Sequence, residues 1–320
     1  MLLDAPAWVL AAVLAALAAD ALLGEPAWLY RRVPHPAVLI GRAVAALERR
    51  LLDPGAGFAS RRLAGVALIA VLAGAAWALG ATLQGLAHRL PGGWLLEGLA
   101  MSTLLAQRSL VQHVAEVAAG LRSGLAEGRR AVALIVGRDP ERLDDAGVGR
   151  AAVESLAENL SDGVVAPLLW GALLGLPGML AYKAINTADS MIGHRDERYL
   201  AFGWASARLD DLVNLAPSRL TGALLCLLGG SPGRAGAAMV RDAPRHRSPN
   251  AGWPEAAMAA SLGVRLAGPR SYAGVTIEDG WMGDGRAEVG PADIERALRL
   301  AWRVWALLAA AVVGMLAFSL

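Results

Sequence analysis

Residues 63–87 read LAGVALIAVLAGAAWALGATLQGLA, a stretch without a single charge. About 20 apolar residues in helical form cross the roughly 30 Å hydrocarbon core of a bilayer, so this stretch reads as a transmembrane helix. Residues 164–182 and 304–320 are also uncharged. Residues 5–23 are interrupted only by Asp20, residues 212–230 carry Arg219 near their start, and residues 94–110 hold Glu97 and Arg108. The expected fold is all-α: a polytopic integral membrane protein of about five or six spans, one domain over residues 1–320, with cytoplasmic helical and loop segments.

Composition agrees. The chain is 56% hydrophobic and only 18% charged, with mean hydropathy +0.44, which is too apolar for an ordinary water-soluble domain. Its net charge of +2 comes from arginine, much of it in isolated pairs such as Arg49-Arg50 and Arg61-Arg62. No basic run is long enough to suggest nucleic acid as a partner. The arginine-rich residues 25–62 lie between the first two expected spans, which puts them in the cytoplasm and the N-terminus outside. Ala16-Leu17-Ala18 resembles a cleavage site, but Asp4 stands where a signal peptide has basic residues, so residues 5–23 are expected to remain as a span. Cys226 reads as a small hydrophobe in an apolar stretch. No histidine pair has zinc spacing.

Between the spans, residues 100–136 read as one helix, with Leu110, Val114, Val117 and Leu121 at helical spacing; Gly137 and Pro140 end it. Residues 164–182 contain Pro167, Gly171, Gly175, Pro177 and Gly178, so they read as a broken or re-entrant segment. A full crossing would put the polar blocks on its two sides in opposite compartments. A segment that dips and returns would leave them in one.

Four polar blocks carry the chemistry. In the first, Glu154, Glu158 and Asp162 follow at four-residue steps and would form an acidic stripe on a helix, with Ser155 and Asn159 beside it. Such a stripe suits magnesium, which takes one or two carboxylates and leaves room for water and phosphate; a solvated helix face is the alternative. The second block holds Lys183, the one lysine among thirty basic residues, with Asn186, Thr187, Asp189 and Ser190 on a broad polar face. An ammonium is a compact point charge suited to a phosphate oxygen. A drifted codon or a polar helix end is the plainer reading.

The third block runs through Arg208, Asp210, Asp211 and Asn214. One aspartate would hold a metal while the other orients Arg208, or Arg208 and Asp211, three apart, would form an interfacial salt bridge. The fourth is a proline-rich loop with Arg241, Arg245, His246, Arg247, Asn250 and Glu255, of the kind that carries binding groups; a merely basic cytoplasmic loop is the alternative. His35 sits between Pro34 and Pro36, which hold its backbone extended.

Together these blocks closely resemble the cobalamin-biosynthesis CobD/CbiB family, the membrane-bound adenosylcobinamide-phosphate synthases. The resemblance runs through Gly24-Glu25-Pro26, Pro34-His35-Pro36 and Ile40-Gly41-Arg42, then residues 153–167, 182–193, 202–220 and 241–269. It ends at Tyr272-Ala273-Gly274 and Trp281-Met282-Gly283. The chain departs at Glu25, where aspartate is usual, Ser218 for alanine, Arg247 for proline and Ala267 for glycine.

The resemblance implies an ATP-dependent amide ligase of the inner membrane, with its active face in the cytoplasm. Its substrates would be adenosylcobyric acid and (R)-1-amino-2-propanol or its O-phosphate, and other cobalamin-pathway membrane enzymes are expected as partners. On that basis Lys183, Asn186, Asp189, Glu158 and Asp162 are catalytic candidates. Glu154, Glu158, Asp162, Asp210 and Asp211 are candidates for Mg2+. His35, Arg208, Arg241, Arg245, His246, Asn250 and Glu255 are candidates for substrate or phosphate binding. A transporter would share the broken spans but couple flux to an ion and form no amide. A non-catalytic sensor of the AmpE type, a more distant resemblance, would not need the blocks around Asn186 and Asn250.

Overall fold

The computed structural model describes residues 5–137, 139–268, 270–272, 275–277 and 280–319. Asp4, Pro269, Ala273, Gly274 and Leu320, all used above, lie outside these. The helices begin with α1 (Ala5–Leu23), α2 (Ala27–Tyr30), α3 (Pro36–Leu51), α4 (Phe58–Ala87) and α5 (Gly93–Ser102). Next come α6 (Gln107–Ser123), α7 (Leu125–Val132), α8 (Asp145–Leu160) and, after a π-helical turn at Ser161–Val165, α9 (Ala166–Ile192). Then follow α10 (Tyr199–Phe202), α11 (Trp204–Val213), α12 (Leu215–Leu228), α13 (Pro232–Asp242), α14 (Gly252–Leu262) and α15 (Pro291–Ser319). Among the described residues four short strands, β1 (Leu266–Ala267), β2 (Arg270–Tyr272), β3 (Val275–Ile277) and β4 (Trp281–Met282), form two antiparallel pairs, β1 with β4 and β2 with β3.

The protein is an all-α polytopic membrane protein. Among the described residues four helical stretches are long and apolar enough to cross a bilayer: Pro6–Leu23, Phe58–Ala87, Asp145–Ile192 and Pro291–Ser319; α11 with α12, bent by 45°, makes a fifth if the pair counts as one span. On α4, Leu63, Val71, Trp77 and Leu79 are exposed, an apolar face that suits lipid rather than water.

Two expectations are corrected here. Residues 94–110 are not one span: α5 has 10 residues, about 15 Å of helix, and turns at Thr103 and Leu104 separate it from α6. Nor do residues 100–136 form one helix, because Gly124, at φ 133, divides α6 from α7.

The chain divides into two compact units. The first comprises residues 1–106, 166–214 and 309–320, the second residues 107–165 and 215–308. In the first, α4 packs along α9, α1 along α5, and α3, α10 and α11 close around them. Its core holds Val44, Leu68, Ile69, Leu72, Ile185, Ile192 and Phe202. Glycines permit the closest approaches. A Cβ built on Gly80 would lie 2.5 Å from the Pro177 Cα, and one on Gly65 would lie 1.8 Å from the Phe202 carbonyl oxygen.

α9 is not regular throughout. Gly175 leaves the helical region at φ 68, ψ −162, and Pro177 follows. At that break sits Glu97, its side chain fully buried, accepting a hydrogen bond from Trp8 Nε1 at 2.8 Å and facing His88 Nε2 at 3.8 Å. Its carboxylate lies beside the Leu176 backbone N–H, and the Gln84 amide packs over Gly175.

In the second unit α8 packs between α6, α7 and α14, while α12, α13 and α14 pack on one another. Nearly every residue of α8 from Gly147 to Ala157 is buried.

Gly65→Ala would force its methyl group into the Phe202 backbone, which no side-chain rotation relieves. A destabilisation of about 1–3 kcal/mol is expected, read as a lower thermal midpoint by circular dichroism in detergent. An unchanged midpoint would show that α4 does not approach α10 this closely.

Candidate functional site

The polar blocks of the sequence contribute a cluster to each unit. In the first, a buried carboxylate organises the group: Asp210 on α11 accepts Asn186 Nδ2 at 3.2 Å and Asn214 Nδ2 at 3.0 Å, one amide on each oxygen. Asn214 in turn accepts the Tyr182 hydroxyl at 3.0 Å. Helical spacing produces half of this, since Asn214 follows Asp210 by four residues; the packing of α11 on α9 supplies Asn186. Asp189 lies within electrostatic reach of Asp210, and Gly193 leaves room for it, because a Cβ there would sit 1.9 Å from Asp189 Oδ1.

The two hydroxyls of the second sequence block turn back on their own helix, Thr187 to the Lys183 carbonyl at 2.8 Å and Ser190 to that of Asn186 at 2.9 Å. Lys183, Asn186 and Asp189 are left as its chemically informative side chains. Arg208 pairs with Asp211 at 3.3 Å, three residues on, so the salt-bridge reading of that pair describes the structure. Arg198 and the Tyr199 hydroxyl both donate to Glu48, at 2.6 and 2.9 Å.

In the second unit Glu154, Ser155, Glu158 and Asn159 of α8 line a cavity of about 390 Å³ with Arg245, His246, Arg247 and Glu255. Ile135, Val136, Gly137, Ala151, Ala267, Gly280 and Met282 complete its wall. The expected acidic stripe is only partly there: Glu154 is buried, Glu158 is exposed, and α8 gives way to the π-turn before Asp162, which does not line the cavity. Glu154 Oε1 accepts the Ala267 N–H at 2.9 Å. Asn159 donates to the Ser155 carbonyl at 2.9 Å, and the Ser155 hydroxyl donates to that of Ile135 at 2.9 Å. His246 Nδ1 accepts the Ser248 N–H at 3.0 Å, which turns Nε2 toward Glu255 at 3.7 Å.

Arg241 and Asn250 lie outside the cavity lining. Arg241 grips Asp242 at 2.8 and 2.6 Å and Asp284 at 2.8 and 2.9 Å. Asn250 accepts the Ser218 hydroxyl and an Arg219 N–H, each at 3.2 Å. Arg219 also lies over the Trp253 ring. The expected 241–255 loop is thus the end of α13, a short connection and the start of α14, and these residues fasten it to α12 and to the bend after β4. The side chain of Asp242 is fully buried. Arg241 and the Gly283 N–H hold its carboxyl below the usual range despite the opposing effect of burial.

Ala267, φ 59, is the one non-glycine at positive φ among the described residues. It stands where the resemblance has glycine, and the left-handed backbone is the physical reason for that preference. Sequence reading placed Asn214 in the third block without a role and did not single out Tyr182 or Asp284. The four-residue step from Asp210 signals Asn214, but nothing local signals Asp284, which meets Arg241 from 43 residues away.

The sequence profile of the family described as "CobD/Cbib protein" matches residues 13–301. The chain belongs to the CobD/Cbib family. It is similar to proteins named cobalamin biosynthesis protein CobD from Sinorhizobium fredii (50% identical, covering 92% of this chain and 93% of that protein) and Rhizobium meliloti (51%, covering 91% of each). A third, from Rhodobacter capsulatus, is 50% identical over 92% of this chain and 94% of its own length. No solved structure matches this CobD/Cbib chain.

Two predictions concern these clusters. Ala267→Gly relieves the left-handed alanine and should stabilise the protein by about 1 kcal/mol, seen as a higher thermal midpoint; a lower one would contradict the strain. For Asp242, the folded carboxyl is harder to protonate than the unfolded one. Its contribution is therefore complete above the unfolded value of about 3.9 and is lost as pH falls through the lower folded value. Asp242→Asn should have a lower midpoint than wild type at pH 7 and a weaker dependence on acid below about pH 4; parallel acid profiles would remove Asp242 from the explanation.

Proposed function

We propose that this chain is an enzyme of cobalamin biosynthesis, an ATP-dependent ligase that joins adenosylcobyric acid to (R)-1-amino-2-propanol or its O-phosphate. Adenosylcobinamide or its phosphate is the product. The observation that carries this reading is the family match over residues 13–301, with the matching blocks gathered into two clusters of acids, amides, ammonium and guanidinium. In this reading the protein lies in the inner membrane with its reactive face toward the cytoplasm, a side favoured by the arginines of residues 25–62. Other membrane enzymes of the same pathway are its expected neighbours.

A carboxylate resists attack by an amine, so the reaction divides into two steps. An oxygen of the corrinoid carboxylate attacks the γ-phosphorus, an O–P bond forms, and ADP leaves. The amine nitrogen then attacks the acyl carbon, phosphate leaves with the electron pair of the C–O bond, and a base takes the proton. Phosphoryl transfer is mostly positioning and charge neutralisation. Lys183 is assigned to phosphate oxygens, Arg208 to the same charge, Asn186 to an acyl-phosphate oxygen and Asp189 to the proton of the incoming ammonium. Asp210, taken on both oxygens by amides, serves best as the group that orients Asn186.

Among the described residues no three acidic, histidine or cysteine side chains converge as a metal site. Magnesium does not require three, since one or two carboxylates with water and phosphate suffice. Glu154 and Glu158, both on the cavity wall, fit that donor set and would hold it. Bound magnesium would neutralise charge on the transferred phosphoryl group. Arg245, His246 and Glu255 meet the amino-alcohol or the corrinoid rim in this scheme, while Arg241 and Asn250 hold their loop in place.

Purified protein in detergent with adenosylcobyric acid, ATP, magnesium and either amine should give an amide product by mass, with ADP released in equal amount. Lys183→Ala should lower kcat/KM by about 100-fold or more. Uptake into sealed vesicles without amide formation would favour transport and end the ligase reading.

A further inference from the structure

His35 caps the N-terminus of α3 in an extended conformation, φ −60 and ψ 143, and its Nδ1 accepts the Ala37 N–H at 3.2 Å. A ring nitrogen that accepts a hydrogen bond carries no proton, so the hydrogen of this imidazole is on Nε2. That nitrogen is buried, and no hydrogen-bond partner for it is found among the described residues. The Tyr30 ring stands 4.6 Å from the imidazole, α3 packs along α9, and the Lys183 ammonium and Glu25 carboxylate both act on the ring electrostatically.

The cap needs only Nδ1. Asparagine would cap α3 as well or better, so capping does not explain why the residue is histidine. Burying an N–H without an acceptor is costly, and each such group in a folded protein calls for an explanation. Within electrostatic reach of the ring is the chain's one lysine, whose charge attracts an anion and repels a cation.

We propose that His35 is a ligand-binding residue: a neutral imidazole whose Nε2–H is donated to an anionic oxygen of the molecule that Lys183 attracts. Lysine supplies charge without direction, and the ring supplies direction without charge. Burial lowers the basicity of the imidazole; Glu25 opposes this and Lys183 reinforces it, which keeps the ring neutral at pH 7. Within the ligase reading, on which this assignment rests, the anion is a nucleotide phosphate or the corrinoid carboxylate.

The test uses the full chain in detergent with [15N]histidine, the His35 signals being assigned by their absence in His35→Gln. A neutral ring protonated on Nε2 is expected at pH 7, with Nε2 displaced by magnesium-ATP if the anion is phosphate, or by adenosylcobyric acid if it is the carboxylate. An imidazolium, the opposite tautomer, or no displacement with either compound overturns the proposal. In the amide assay, His35→Asn should keep the cap and the thermal midpoint yet lose roughly 10- to 100-fold in kcat/KM. His35→Gln, whose amide reaches further, should recover part of that. A fully active His35→Asn would also overturn the role. If the wild-type protein forms no amide, the ligase reading fails, and the nitrogen spectra still decide whether His35 binds an anion.

Discussion

A helix that leaves its hydrogen-bond ladder inside a membrane must have its stranded amides met by something other than water. In α9 this occurs at Gly175, and the half-helix beyond the break carries Lys183, Asn186 and Asp189. Glu97 lies at the start of that half beside the Leu176 amide, held by Trp8 and facing His88. A carboxylate at the amino end of a helix is favoured by the helix dipole, which gives a buried acid in an apolar unit a structural reason to be there. The break and its acid set the direction in which the polar half of α9 runs, and Gly80 lets α4 pack against Pro177 closely enough to hold that direction.

Both polar clusters are built on one device, a carboxylate fixed by donors before any ligand arrives. Asp210 is fixed by two side-chain amides, Asp242 by a guanidinium and a backbone N–H, and Glu154 by the amide of Ala267. Fixing the acids removes conformations that would otherwise have to be given up on binding. The acids differ in exposure: Glu158 is open on the cavity wall, whereas the Asp242 side chain is buried against Arg241.

Much of this was legible in the chain. The apolar runs predicted α1, α4, the apolar part of α9 and the end of α15, because hydrocarbon enforces length and composition so strictly. Arg208 with Asp211 followed from helical spacing alone. Where reading failed, the reason was local geometry that composition does not encode. Thr103 and Leu104 turn the chain without a proline or a glycine, so residues 94–110 looked continuous, and the π-turn after Leu160 shifted Asp162 off the stripe that Glu154 and Glu158 began. The cavity was illegible for a different reason. It needs residues 245–247 beside residues 154–159, and no pattern within either stretch announces the other.

The amide pair on Asp210 carries a liability that grows with the age of a sample. Asparagine is among the thermolabile side chains, and hydrolysis of Asn186 or Asn214 would replace an amide donor with a second carboxylate about 3 Å from the first. Attraction would become repulsion at the centre of the first unit, without any change in the gene. The same two bonds that tie α11 to α9 and close the turn at its end thus make the cluster a chemical clock, running faster in warm storage than in the cold.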